Sequence, residues 1–204
     1  RKMQHHGKPI KESTVQKYLT VVSAVLSDAK RNEIIQKNPA RMIDLPQCEQ
    51  SKQFVPTDEE AQLLLTEFCN LPLTYETYYV LAMFTGCRRG ELCALKWSDV
   101  TIYDNYDWAT INISRSRSSV PSNGVVEGST KSGRSRTVAV DSDIAGLIAC
   151  LYTEKEREAN ERGEELSEYI FTNEHGKLIY PDTFSKTLRK IYDSIGLPHE
   201  FHLH

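Results

Sequence analysis

The stretch TGCRRGELCALKWSDV, residues 85–100, decides how the rest of this chain is read. Gly86 interrupts one helical pattern, and Leu92, Leu95 and Trp97 resume apolar spacing just beyond it. The break puts Arg88 in or beside a helix N-terminus. Packing accounts for the leucines and the tryptophan, but not for an Arg-Arg pair directly after a tight turn. Planar guanidinium groups at a helix start form a cradle for a phosphate, because bidentate hydrogen bonds and the helix dipole act together. The plainer alternative is a solvated helix start.

Upstream, TYETYYVLAMFTG predicts a largely buried helix ending at Gly86. Thr57 and Glu60 form a T-x-x-E capping box that opens the amphipathic EEAQLLLTEFC. Val15, Tyr18, Leu19, Val22, Val25, Leu26 and Ala29 recur at helical spacing and predict a helix from Glu12 to about Glu33, with Ser13 and Gln16 as its capping box. Between the helical units, 42–56 carries prolines and no periodicity and reads as a linker. Downstream, ATINISRSRSSV and RSRTVAV alternate as strands of a small antiparallel sheet around the turn-rich PSNGVVEGSTKSG. Asp143 to about Arg162 reads as helix, YIFTNEHGKLI as a strand with a turn, and DTFSKTLRKIYDSIG as a final helix closed by Gly196. The fold class expected is mainly α with a small antiparallel β-sheet (α+β).

Composition narrows the function classes. Hydrophobic residues are 39% and charged residues 26% of the 204, ordinary for a folded soluble protein. With no apolar run long enough to cross a bilayer and no leader pattern, the expectation is a cytoplasmic protein without a membrane role. Five cysteines without a C-x-x-C pair fit neither a disulfide framework nor a zinc cluster, so no metal is expected. The net charge of −3 conceals an uneven distribution. Residues 1–52 hold ten Lys/Arg against five Asp/Glu, while 141–168 hold three against nine. The sign of the total therefore does not exclude a nucleic-acid partner. TEKEREANERGEELSE lies in the acidic segment and reads as a solvated helix facing away from such a partner.

T-G-x-R-x-G-E-L followed by L-x-W-x-D resembles the first arginine box of the tyrosine recombinases, the integrases of phages and conjugative transposons. Arg88 matches that family's first catalytic arginine, Glu91 its neighbouring buried carboxylate, and Arg89 a variable position. STKSGRSRTVAV resembles the family's β-hairpin, with Lys131 at the catalytic lysine. YIFTNEHGKLIYPDTFSKTLRKIYDSIGLP resembles the approach to its H-x-L-R-H box. The first helix and KNPA resemble the end of its helical core-binding domain. The resemblance thus divides the chain into a core-binding part (1–41), a linker (42–56) and a catalytic domain (57–204) cut before the H-x-L-R-H box is complete.

The resemblance implies site-specific DNA recombination or integration on double-stranded DNA, through a 3′-phosphotyrosyl intermediate and without a cofactor, by a dimer or tetramer assembled on DNA. Arg88 would stabilise the pentacoordinate phosphate. Lys131 would protonate the leaving 5′ oxygen. The closing HEFHLH is not H-E-x-x-H, since His199 and His202 are three apart, and His204 is the histidine placed to begin the family box. The second arginine and the nucleophilic tyrosine are expected after that histidine, so the chain alone is expected not to cleave DNA. Lys8, Lys11, Lys17, Arg115, Arg117, Arg134 and Arg136 are candidate phosphate-neutralising contacts. Two alternatives stay open: a non-catalytic DNA-binding protein on the same scaffold, and a helical interaction protein that leaves the arginine box and hairpin lysine unexplained.

Overall fold

The computed structural model describes residues 4–5, 8–44, 56–120, 124–130 and 133–198. Its contacts divide the chain into two units, Arg1–Lys52 and Gln53–His204.

In the first unit, β1 (Gln4–His5) and β2 (Lys8–Pro9) pair antiparallel ahead of α1 (Glu12–Arg31). The box expected at Ser13 does not form. Lys11 is extended, and its carbonyl already accepts from the Thr14 and Val15 amides, so α1 starts before Ser13. A one-turn 3₁₀ helix, Pro39–Met42, follows. Asn38 ties it back to α1: its Nδ2 donates to the Ser23 carbonyl and the Ser27 hydroxyl, both at 2.9 Å, and its Oδ1 accepts from the Ala40 amide. No residue of α1 is buried, and Val21 and Val25 are exposed.

The second unit holds the main core. The predicted box at α2 (Asp58–Cys69) forms in full: Thr57 Oγ1 accepts from the Glu60 amide and Glu60 Oε2 from the Thr57 amide. Next, α3 (Leu73–Thr85) stops at Gly86, whose φ of 61° is the left-handed conformation that a side chain resists. Tyr78 stacks on Phe184 of α6 (Pro181–Ile195) with centroids 3.6 Å apart, and the Tyr79 hydroxyl donates to the Phe184 carbonyl at 2.7 Å. This aromatic layer joins two helices a hundred residues apart in sequence. α5 (Ser142–Arg162), capped by Asp141, contributes Ile144, Ile148 and Leu151 to the same core.

The β structure is more extensive than the sequence predicted. One antiparallel sheet has the order β3 (Val100–Tyr103), β4 (Trp108–Ile113), β7 (Arg136–Asp141). A separate hairpin pairs β5 (Arg115–Val120) with β6 (Gly124–Ser129). The region around YIFTNEHGKLI carries only isolated bridges, Lys96 with Tyr169 and Thr172 with Leu178, instead of the strand expected. Asn173 explains this locally: its Oδ1 accepts from the His175 and Lys177 amides, competing with a strand ladder. The class is nonetheless mainly α with small antiparallel sheets.

Candidate active site and nucleic-acid interface

The arginine box forms α4 (Arg89–Leu92), shorter than its apolar spacing predicted. Arg88 is its N-cap residue, in extended conformation. A one-turn helix aligns few peptide dipoles, so an anion here must be held by the guanidinium more than by a macrodipole. Gly90 has a steric role. A Cβ at this position would lie 2.5 Å from the Arg117 carbonyl oxygen and 2.6 Å from Ser116 Oγ, so only glycine lets α4 rest on β5.

Glu91 is the hub. Its side chain has 0% exposure, yet four donors reach it. Oε1 accepts from Arg88 Nη1 at 2.9 Å and Arg136 Nη1 at 3.1 Å; Oε2 accepts from the Arg88 amide at 2.9 Å and Arg136 Nη2 at 2.7 Å. Burial by itself would raise its pKa. The bonds from Arg136, then those from the Arg88 backbone and side chain, outweigh burial and pull it down to about 2. Glu91 is therefore a carboxylate throughout the ordinary pH range. The two guanidiniums remain partly open to solvent, with 53% of the Arg88 and 38% of the Arg136 side chain exposed. A buried acid thus fixes the inner edges of two arginines whose outer edges face water.

Arg89 turns elsewhere. Its Nη1 donates to Asp182 Oδ1 at 2.8 Å and Ser185 Oγ at 3.0 Å, both on α6. Nearby, Cys87 is buried against Arg136, and burial first of all pushes its thiol pKa up, so it is not a nucleophile in waiting.

Three of the hairpin arginines are paired with acidic side chains. Arg115 Nη2 donates to Asp99 of the L-x-W-x-D segment, and its Nε lies 3.8 Å from Glu127 Oε1. Arg117 is only 10% exposed, 3.7 Å from Glu127 Oε2, with its guanidinium carbon 5.0 Å from the Tyr169 ring centroid. Tyr169 donates its hydroxyl to Glu127 at 2.9 Å, and Lys96 Nζ also sits over its ring at 4.8 Å. Of the four hairpin arginines expected to face phosphate, Arg115 and Arg117 are thus paired with Asp99 and Glu127, and Arg136 with Glu91. Arg134 is exposed, as are Lys11 and Lys17. Lys8 lies in β2 with its side chain outside the described residues, as are Lys131 and His204 entirely.

In sequence, Arg136 is one of several candidate phosphate-neutralising cations. Strand alternation carries a different signal: Arg136, Val138 and Val140 share the inward face of β7, while Thr137 and Ala139 are exposed. Asp99, Glu127 and Gly90 were equally unassigned, since their roles arise only from pairing between strands. Among the described residues no group of three or more His, Cys, Asp or Glu could hold a metal ion. A groove of about 550 Å³ lined by Tyr106, Gly146, Ala149, Cys150, Thr153, Glu154 and Arg157 shares no residue with the Glu91 cluster.

The model of the phage integrase family matches residues 55–204, nearly all of the second unit. The chain belongs to the phage integrase family. The integrase of Mycobacterium phage L5 is 29% identical over 189 residues, covering 90% of this chain and 47% of that protein. The ICEBs1 integrase of Bacillus subtilis (strain 168) is 26% identical over 91 residues, 45% of this chain and 25% of that protein. The chain therefore spans about half the length of the phage relative or less. In fold it resembles the Tn1549 transposon integrase solved with a circular intermediate DNA, at a TM-score of 0.75 and 14% identity, over 96% of this chain and 64% of that one. A lambda integrase dimer bound to a core site matches at a TM-score of 0.54 and 16% identity, over 93% of this chain and 49% of that one. Both similarities concern the fold, within which this integrase-family chain presents its arginine box.

Proposed function

We propose that this chain is the DNA-clasping and phosphate-activating part of a site-specific tyrosine recombinase, acting on double-stranded DNA as an assembly of several copies. The observation that carries the reading is Arg88: a half-exposed guanidinium at the start of α4, held from behind by a fully buried, ionised Glu91. Such a group is preorganised for a phosphate whose charge grows at the transition state, because it pays no reorganisation when that charge appears. Family membership supports the reaction class, and the DNA-bound states of the Tn1549 and lambda integrases support the partner.

In the reaction proposed, a tyrosine hydroxyl gives up its proton to a base or to water as its oxygen forms a bond to phosphorus, and the bond from phosphorus to the 5′ oxygen breaks. This leaves a 3′-phosphotyrosyl link and a free 5′ hydroxyl. Arg88 binds the non-bridging oxygens, and Lys131 delivers the proton to the departing oxygen. His204 is assigned to the same phosphate. The tyrosines of the core do not fit the nucleophile's role: burial pushes the hydroxyls of Tyr78, Tyr79 and Tyr192 well above their ordinary pKa, favouring the neutral phenol. The 204-residue chain is proposed to bind duplex DNA.

Two measurements test this. Duplex binding by the 204-residue chain should weaken steeply as salt is raised, since phosphate contacts release counterions; salt-independent binding refutes the interface. In the full product of the reading frame, incubated with duplex carrying the mobile element's end, Arg88→Ala should lower the yield of covalent protein–DNA adduct by about a hundredfold, the typical loss when one preorganised donor is removed. Undiminished adduct would refute the role of Arg88.

A further inference from the structure

The Glu91 cluster poses a charge problem. A buried carboxylate bonded to one guanidinium makes a neutral pair, and a neutral pair offers an anion little field. If Arg88 alone faced Glu91, the acid that positions the arginine would also cancel it. The structure contains a second cation at that point: Arg136, from the first residue of β7, donates through both Nη atoms to the two Glu91 oxygens. Three charges in contact leave a net +1, with the negative member buried and both positive members partly exposed.

The geometry points to Arg136 as a positioning residue for phosphate recognition: it neutralises Glu91 so that the charge of Arg88 stays available to the DNA phosphate. This inference rests on the recombinase reading of Arg88. Two features of the bonding argue for it. First, Arg136 takes both carboxylate oxygens while Arg88 uses one Nη and its amide, so the carboxylate is turned to Arg136 as a fork and to Arg88 as a cap. Without the fork, Glu91 is free to swing into a two-point grip on the Arg88 guanidinium and draw it inward. Second, Arg136 opens β7 and stands five residues after Lys131 in the sequence. Its anchor to Glu91 therefore ties that strand to the helix that Arg88 opens.

Charge counting separates this role from simple structural support. With Arg136→Gln the Arg88–Glu91 pair is left neutral. With Arg136→Gln and Glu91→Gln together, Arg88 again stands at +1, although two of the native ion pairs are gone. Arg136→Lys keeps the charge and loses the fork.

The test uses the folded 204-residue chain and inorganic phosphate as probe, read at the Arg88 Nε–H resonance, which is assigned by its loss in Arg88→Lys. Wild type should shift with phosphate; Arg136→Gln should need about tenfold more; the double variant should return to within about threefold of wild type. Arg157→Ala, which removes a cation on α5, should leave the titration unchanged. An Arg136→Gln titration equal to wild type, or a double variant as weak as Arg136→Gln, overturns the inference while the recombinase reading stands. A wild-type resonance indifferent to phosphate overturns both. Should Arg136→Gln fail to fold, Glu91→Gln alone decides: its cluster carries +2 and should bind phosphate more tightly than wild type, and equal or weaker binding overturns the inference.

Discussion

Replacing Gly90 by alanine tests the packing that places the arginine box. Alanine at a helical position ordinarily stabilises by up to about 1 kcal/mol over glycine. Here the added methyl would meet the Arg117 carbonyl oxygen at 2.5 Å and Ser116 Oγ at 2.6 Å. The serine hydroxyl can rotate away, but the carbonyl belongs to β5 and moves only if that strand moves. β5 in turn is held by Arg115 on Asp99 and by Arg117 beside Glu127. Overpacking of this kind costs about 3 kcal/mol at its upper range. Less the propensity gain, Gly90→Ala should lose about 2 kcal/mol, which in a unit of this size lowers Tm by about 4–8 °C. Gly146→Ala on α5 is the paired control, because a methyl there meets nothing within 4 Å and should raise stability slightly. The assay is thermal unfolding followed by near-ultraviolet circular dichroism, which reports the Tyr78, Tyr79 and Phe184 layer. An unchanged or higher Tm for Gly90→Ala would refute the close-approach argument.

Three other outcomes are expected. Thr57→Ala removes the α2 cap and should lower the unfolding free energy by about 1 kcal/mol in urea titration, with Thr57→Ser recovering most of it. Tyr79→Phe removes the hydroxyl bond to the Phe184 carbonyl and should cost about 1 kcal/mol by the same measurement. Glu91, with a folded pKa of about 2 against an ordinary 4.5, contributes stability that is complete above pH 4.5 and is lost as the pH falls toward 2. That contribution is roughly 3 kcal/mol. The difference in urea midpoint between wild type and Glu91→Gln should therefore shrink across that window; a difference constant from pH 7 to pH 2 would contradict the assignment.

How much of this was legible in the chain follows from the range of each interaction. The cap at Thr57, the left-handed stops at Gly86 and Gly196, and the α1 and α5 periodicities depend on residues within a few positions of one another, so sequence alone exposes them. β3 and β6 were not predicted, because VTIY is too short to show alternation and GVVEGS carries glycines that read as turn. Each becomes a strand through a partner, β4 and β5 respectively. The same limit applied to charge. Arg115, Arg117 and Arg136 look alike as basic residues around a turn, and only strand register brings Asp99, Glu127 and Glu91 against them.

The adjacent arginines of the box show where resemblance and physics meet. Composition cannot rank Arg88 above Arg89. The resemblance ranks them by motif position, and the structure gives them different partners: an N-cap residue is extended, so Arg88 points back over the first turn to the Glu91 side chain three residues on, whereas Arg89, already helical, projects to Asp182 on α6. Glu91 in turn meets its second guanidinium from β7, forty-five residues away. On the function proposed, a phosphate-binding arginine is defined less by its own identity than by the buried acid that orients it and by the further cation that keeps that acid from cancelling it.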